Sequence, residues 1–162
     1  MPYPADTESP EACVHALYEV ISGPPEQPRD WARFRELCRP EARFLLATVG
    51  PDGAPLTQLW DVEGFVAEGR KSFAARGLWE SELAARTERF GRVAHVFSSY
   101  ATRLDRPDAP IISRGVNSIQ LVWDPADTGS EGAWRIAHLI WDRERPGNEL
   151  PRDLGEALDA AA

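Results

Sequence analysis

The sequence is poor in the residues from which reactive and metal-binding centres are usually assembled. Among 162 residues it has two cysteines, Cys13 and Cys38, and three histidines, His15, His95 and His138. No histidine stands at a zinc-type spacing from either cysteine, so no dedicated metal site is expected. The two cysteines read as buried, reduced thiols among apolar neighbours. A surplus of positive charge is also missing. Against 18 Lys and Arg there are 26 Asp and Glu, a net charge of -8 that opposes the counterion release on which nucleic-acid binders depend. Nucleic acid and anionic membrane surfaces are therefore excluded as expected partners. No apolar run approaches the roughly 20 residues needed to span a bilayer, and the first residues form neither a basic nor an apolar leader; a cytoplasmic protein is expected. There is no Gly-rich phosphate loop and no nucleophile-elbow serine, and no cofactor is expected. Ser98, Ser99 and His95 lie too close along one strand to suggest a catalytic triad.

What remains is a chain with 43% hydrophobic residues, enough for one domain with one core. Residues 1–8 read as a flexible arm, residues 9–154 as a single domain, and residues 155–162 as an acidic tail. Ser9 and Pro10 mark a helix start, and Cys13, Leu17, Val20 and Ile21 form one helical face through to Ser22. After the loop from Gly23 to Pro28, Asp30 caps a short helix carrying Trp31, Phe34, Leu37 and Cys38 and ending before Pro40. Arg43 to Gly50 and Pro55 to Trp60 flank a turn and predict a small hairpin. Asp61 then caps a third helix to Arg76, with Val62, Phe65, Val66, Gly69 and Phe73 as its inward stripe.

Beyond Gly77 the helical period gives way to four long extended segments, 78–90, 92–103, 112–123 and 134–143. Such successive hairpins predict an antiparallel meander. Three helices on one face of a curved four-stranded sheet give an α+β cone with a hollow between its layers. The other face, assigned Val96, Ile119, Leu121 and Trp123, is too apolar for water, so a homodimer through the sheet is expected.

Certain stretches resemble a known superfamily: Phe90-Gly91 through Val93-Ala94-His95-Val96-Phe97-Ser98-Ser99-Tyr100, Arg114 to Leu121, and the ending Trp134…Trp141-Asp142-Arg143-Glu144. They are similar to the nuclear-transport-factor-2-like (cystatin-like) proteins, and among these to SnoaL-like bacterial proteins of unassigned function. The resemblance covers about Ser9 to Leu154 and implies a cone-shaped sheet with three N-terminal-half helices on its concave face. It does not single out a chemistry, because this fold carries isomerases, dehydratases, cyclases and non-catalytic adaptors. A more distant likeness, through Asp30 to Cys38 and Ser118 to Trp123, is to scytalone dehydratase. It places Gln120 where that enzyme has a pocket asparagine, with Glu80 or Glu82 near one of its catalytic histidines and Arg103 near the other.

If Gln120 points inward, alternation along strands adds Ser118, Val116 and Arg114, and antiparallel pairing adds Ser99, Phe97 and His95. Leu139 and Trp141 then close the floor, Glu80 and Glu82 a wall, and Leu17, Ile21, Phe65 and Trp60 the helical side and the mouth. Asn117 and His138 fall on the outer face, at the dimer contact. Glu82 and His95 are the candidate acid/base groups. Arg114 is expected to hold a carboxylate, either an internal glutamate or the acid group of a ligand. Two functions fit. One is a cofactor-free isomerase, dehydratase or cyclase acting on a small hydrophobic or aromatic molecule that can carry an acid group. The other is a dimeric binding or accessory module. An arginine-paired buried carboxylate favours the second, and an unpaired one the first.

Overall fold

The computed structural model describes residues 3–125 and 132–159. Ser9 Oγ accepts a hydrogen bond from the Ala12 N–H at 3.0 Å, so α1 (Pro10–Ile21) begins where its cap residue predicts. Cys13, Leu17, Val20 and Ile21 are buried along it, and Tyr18 beside them. The loop that follows is held by Arg29, whose guanidinium donates to the carbonyls of Ile21, Gly23, Pro24 and Gln27 at 2.7–3.0 Å.

The second helix, α2 (Trp31–Glu36), stops short of its expected end, and Cys38 already opens β1 (Cys38–Val49). Pro40 is tolerated there because β1 pairs irregularly between Cys38 and Arg43, where a missing N–H removes no ladder bond. After β2 (Pro55–Asp61), Asp61 Oδ1 accepts from the Gly64 N–H at 2.7 Å and caps α3 (Val62–Ala75). Val62, Val66 and Gly69 are buried along it, while Phe65 and Phe73 pack half-buried against the core.

The four long strands are β3 (Leu78–Phe90), β4 (Val93–Leu104), β5 (Ser113–Asp124) and β6 (Ala133–Arg143). The polar turn expected from Asp124 to Gly132 between the last two lies mostly, over 126–131, outside the described residues. The hairpin does not stand apart from the meander. One six-stranded sheet runs β2-β1-β6-β5-β4-β3, with β1 parallel to β6 and every other pair antiparallel. This pairing covers an edge of β6 whose N–H and C=O groups would otherwise lie open.

The first and last described segments pack against the domain. Where the sequence suggests a flexible arm, Pro4–Thr7 makes a 3-10 turn with Thr7 buried, and Asp6 takes two hydrogen bonds from Arg33 at 2.7 and 3.0 Å. At the other end α4 (Arg152–Asp159) begins before the expected tail, and Leu154 is fully buried. The final residues, 160–162, lie outside those described.

The helices cover one face of the sheet, and the side chains of β5 face them with the opposite parity to that expected. Asn117, Ile119 and Leu121 are buried inward, beside Ala94, Val96, Ser98 and Tyr100 of β4. The register requires it. Ile119 stands opposite Leu139 and Asn117 opposite Trp141, and directly opposed residues share a face. With Leu139 and Trp141 inward, Arg114, Val116, Ser118 and Gln120 must point outward.

Candidate functional site

The hollow lies between α1, α3 and the concave side of the sheet and measures about 280 Å³. Its apolar walls come from Leu17 and Ile21 of α1, Phe65 and Phe73 of α3, Phe44 and Leu46 of β1, and Leu139 of β6. Phe34, Phe44 and Phe65 form a stack behind one wall, with centroids 4.6–5.6 Å apart. Trp60 and Trp141 stack on each other at 5.8 Å with planes 17° apart. The exposed Gln58, Glu68 and Ser72 mark the side on which the hollow opens.

The polar groups gather at the β3–β4–β5 end: Glu80, Tyr100, Asn117, Tyr18 and Arg143. Glu80 accepts no hydrogen bond from any described side chain, and burial pushes its carboxyl up to about 7, against a weaker opposing pull from Arg143. Burial, with Glu80 beside it, also holds the Tyr100 phenol well above its usual range, so it keeps its proton. Behind Tyr18 a chain of hydrogen bonds leads out of the hollow. Asn117 Nδ2 donates to the Tyr18 hydroxyl at 3.0 Å, that hydroxyl meets Ser98 Oγ at 2.7 Å, and Ser98 Oγ donates to Glu82 Oε2 at 2.6 Å.

Of the residues singled out from the sequence, the structure brings Leu17, Ile21, Trp60, Phe65, Glu80, Leu139 and Trp141 together around the hollow. It does not bring the others there. Glu82 is exposed and reaches the site only through Ser98. His95 lies on the outer face, its Nε2 2.9 Å from Ser118 Oγ and its ring beside Phe97. Val116, Ser118 and Phe97 line an outer groove, and Gln120 is exposed. Ser99 is buried under α4, where its Oγ donates to the Leu154 carbonyl.

Arg114, also on that face, makes a two-pronged pair with Glu144 at 2.9 and 3.0 Å, so its carboxylate is an internal glutamate. Partial burial opposes the Glu144 charge, but the Leu150 N–H and Arg114 outweigh it and hold its pKa below the usual range. Tyr18, Tyr100 and Arg143 went unrecognised in the sequence, and Asn117, expected on the outer face at the dimer contact, lines the hollow instead. The signal for two of them was present: Tyr100 shares the parity of Val96, and Asn117 that of Ile119, the most apolar parity of each strand. Among the described residues no three His, Cys, Asp or Glu side chains cluster as a metal site requires.

No protein-family model matches the sequence, and no curated protein matches it. Solved structures do. The chain is similar to an NTF2-like protein from Cytophaga hutchinsonii, with TM-score 0.57 and 10% identity, covering 82% of this chain and 93% of that one. It is similar to a protein of unknown function with a cystatin-like fold from Nostoc punctiforme, with TM-score 0.56 and 9% identity over 84% and 93%. It is also similar to a candidate ketosteroid isomerase from Parabacteroides distasonis, with TM-score 0.53 and 12% identity over 86% and 91%. At such identities the shared property is the course of the backbone, and by that measure the chain has the nuclear-transport-factor-2-like, cystatin-like fold.

Proposed function

We propose that the hollow binds a small hydrophobic or aromatic molecule and that Glu80 moves a proton on it without a cofactor, as an isomerase, dehydratase or cyclase would. A single observation carries this reading: an unpaired carboxyl faces an apolar cavity with its pKa near neutrality. A base poised there is part-ionised at working pH and able both to take a proton and to return it. Tyr100, which stays protonated, and Arg143 beside it are the groups that stabilise an oxyanion developing next to Glu80. In this role Glu80 replaces Glu82 and His95. The candidate ketosteroid isomerase among the structural neighbours is consistent with such chemistry. The volume is about twice the roughly 150 Å³ that accommodates a benzene, which suits one or two fused rings.

The dimeric form belongs to the same reading. The outer face carries Ile140, Val116 and Phe97 around a groove, with Leu59 exposed further along, and a second copy of the chain is the partner that covers it. Buried, reduced Cys13 and Cys38 suit the cytoplasm.

The two-ring ketone 2-tetralone tests the chemistry. Binding is read from tryptophan fluorescence, and exchange of its α-protons for deuterium from NMR. The protein should accelerate exchange with a rate that rises with pH through about 7. Glu80→Gln should bind the ketone and lose roughly 100-fold or more of the acceleration. Binding without acceleration in the wild type would leave the non-catalytic binding module as the correct reading.

A further inference from the structure

The chain of hydrogen bonds behind Tyr18 has a direction, and the direction decides what the hollow shows a ligand. An ionised carboxylate only accepts. Glu82 is exposed and takes a hydrogen bond from Ser98 Oγ at 2.6 Å, which commits the one Ser98 proton. The 2.7 Å contact between Ser98 and Tyr18 must then be donated by the Tyr18 hydroxyl, which commits that proton too. Tyr18 has nothing left to give Asn117, and accordingly the amide presents Nδ2 to it at 3.0 Å. One lone pair on the Tyr18 oxygen remains.

We infer that Glu82, acting through Ser98, is a positioning residue that turns the Tyr18 proton away from the hollow, so that this wall offers an acceptor and selects ligands presenting a hydroxyl or N–H there. The inference rests on the reading of the hollow as a ligand site and specifies which end of a one- or two-ring compound meets Tyr18, a carbonyl such as that of 2-tetralone being left to Tyr100 and Arg143. A ring ether or ketone aimed at Tyr18 would face a lone pair, leaving two acceptors opposed. The geometry supports a fixed arrangement. Ser98 is fully buried, and Tyr18 and Asn117 are 4% and 6% exposed, so water has little room to rearrange the bonds.

The direction depends on Glu82 accepting from Ser98. The groups around it are Glu80 on its own strand, Tyr100 opposite it on β4 and Tyr18 on α1. The α4 side of the sheet presents Asp153, paired with Arg86 at 3.4 Å.

The matched probes are 2-naphthol, which donates, and 2-methoxynaphthalene, which only accepts. The wild type should bind the naphthol about tenfold more tightly, the worth of one hydrogen bond in a site that excludes water. Ser98→Ala and Glu82→Gln, which remove the constraint without touching the hollow, should cut that preference to about threefold or less. A preference that survives both substitutions overturns the inference while leaving the ligand site standing.

A second readout needs no ligand. With ring-labelled tyrosine, the Tyr18 Cζ resonance should shift from its wild-type position in both Ser98→Ala and Glu82→Gln. If neither probe binds, the failure belongs to the reading of the hollow, and the Tyr18 resonance alone decides the direction of the bonds. A resonance indifferent to both substitutions refutes it.

Discussion

Glu80 is a residue whose folded environment opposes its own charge. Its carboxyl goes from 4.5 to about 7 on folding, so between those values the native state binds more protons than the unfolded chain. Stability then falls as pH rises through this window, and above about 7 the ionised group costs its full penalty. A shift from 4.5 to about 7 corresponds to roughly 3 kcal/mol. Glu80→Gln should therefore be about as stable as the wild type near pH 4.5 and up to ~3 kcal/mol more stable at pH 8, as read by urea denaturation at both values. Equal midpoint differences at the two values would show that Glu80 is ionised freely in the fold. At this scale the sequence was a partial guide. Glu80 and Glu82 were recognisable as strand carboxylates near the hollow, but the sequence reading put the acid/base role on Glu82 rather than on Glu80. Burial, which separates the half-buried Glu80 from the exposed Glu82, depends on where α1 settles over β3.

At the scale of elements, local signals worked where the deciding interactions were local. Ser9 and Asp61 cap the helices they announce, each by one side-chain oxygen accepting an N–H three residues on. Gly69 in the middle of α3 is explained only by packing. A Cβ there would lie 2.4 Å from Trp31 Cη2 and 2.8 Å from Cζ2, and those ring atoms cannot yield in a core shared with Phe34 and Phe73. Gly69→Ala should cost about 1–3 kcal/mol despite the better helix propensity of alanine, and thermal melting measures it. A stabilised variant would show that α3 can move off Trp31.

Strand parity was the element-scale question that the resemblance answered wrongly. Aligning Gln120 with a pocket residue sent the apolar set of Ile119 and Leu121 outward, whereas burial of apolar area, worth roughly 25 cal/mol per Å², sends it under the helices. Two irregularities hide the answer further. The pairing shifts between Glu82 and Ala84 and between Gln120 and Leu121, so strict alternation cannot be carried along β3 or β6.

For the whole molecule, the outer face of the sheet bears on assembly. Arg114 and Glu144 neutralise each other there, and the aliphatic side chains of Ile140 and Val116 remain. We expect light scattering to give about twice the 18.0 kDa chain mass, and Ile140→Asp to give the single-chain mass with the fold intact. A wild-type monomer would remove the dimer. Composition and pattern were sufficient for the α+β class, the order of the elements and the acidic surface. These depend on helical and strand periods, caps and breakers that act over a few residues. Which face of the sheet is wet, that Tyr18 should meet Ser98 across 80 positions, and that Glu80 rather than His95 should sit in the hollow were settled in three dimensions. Those outcomes depend on register, on single-residue bulges and on the competition of two faces for one set of helices, none of which leaves a local trace in the chain.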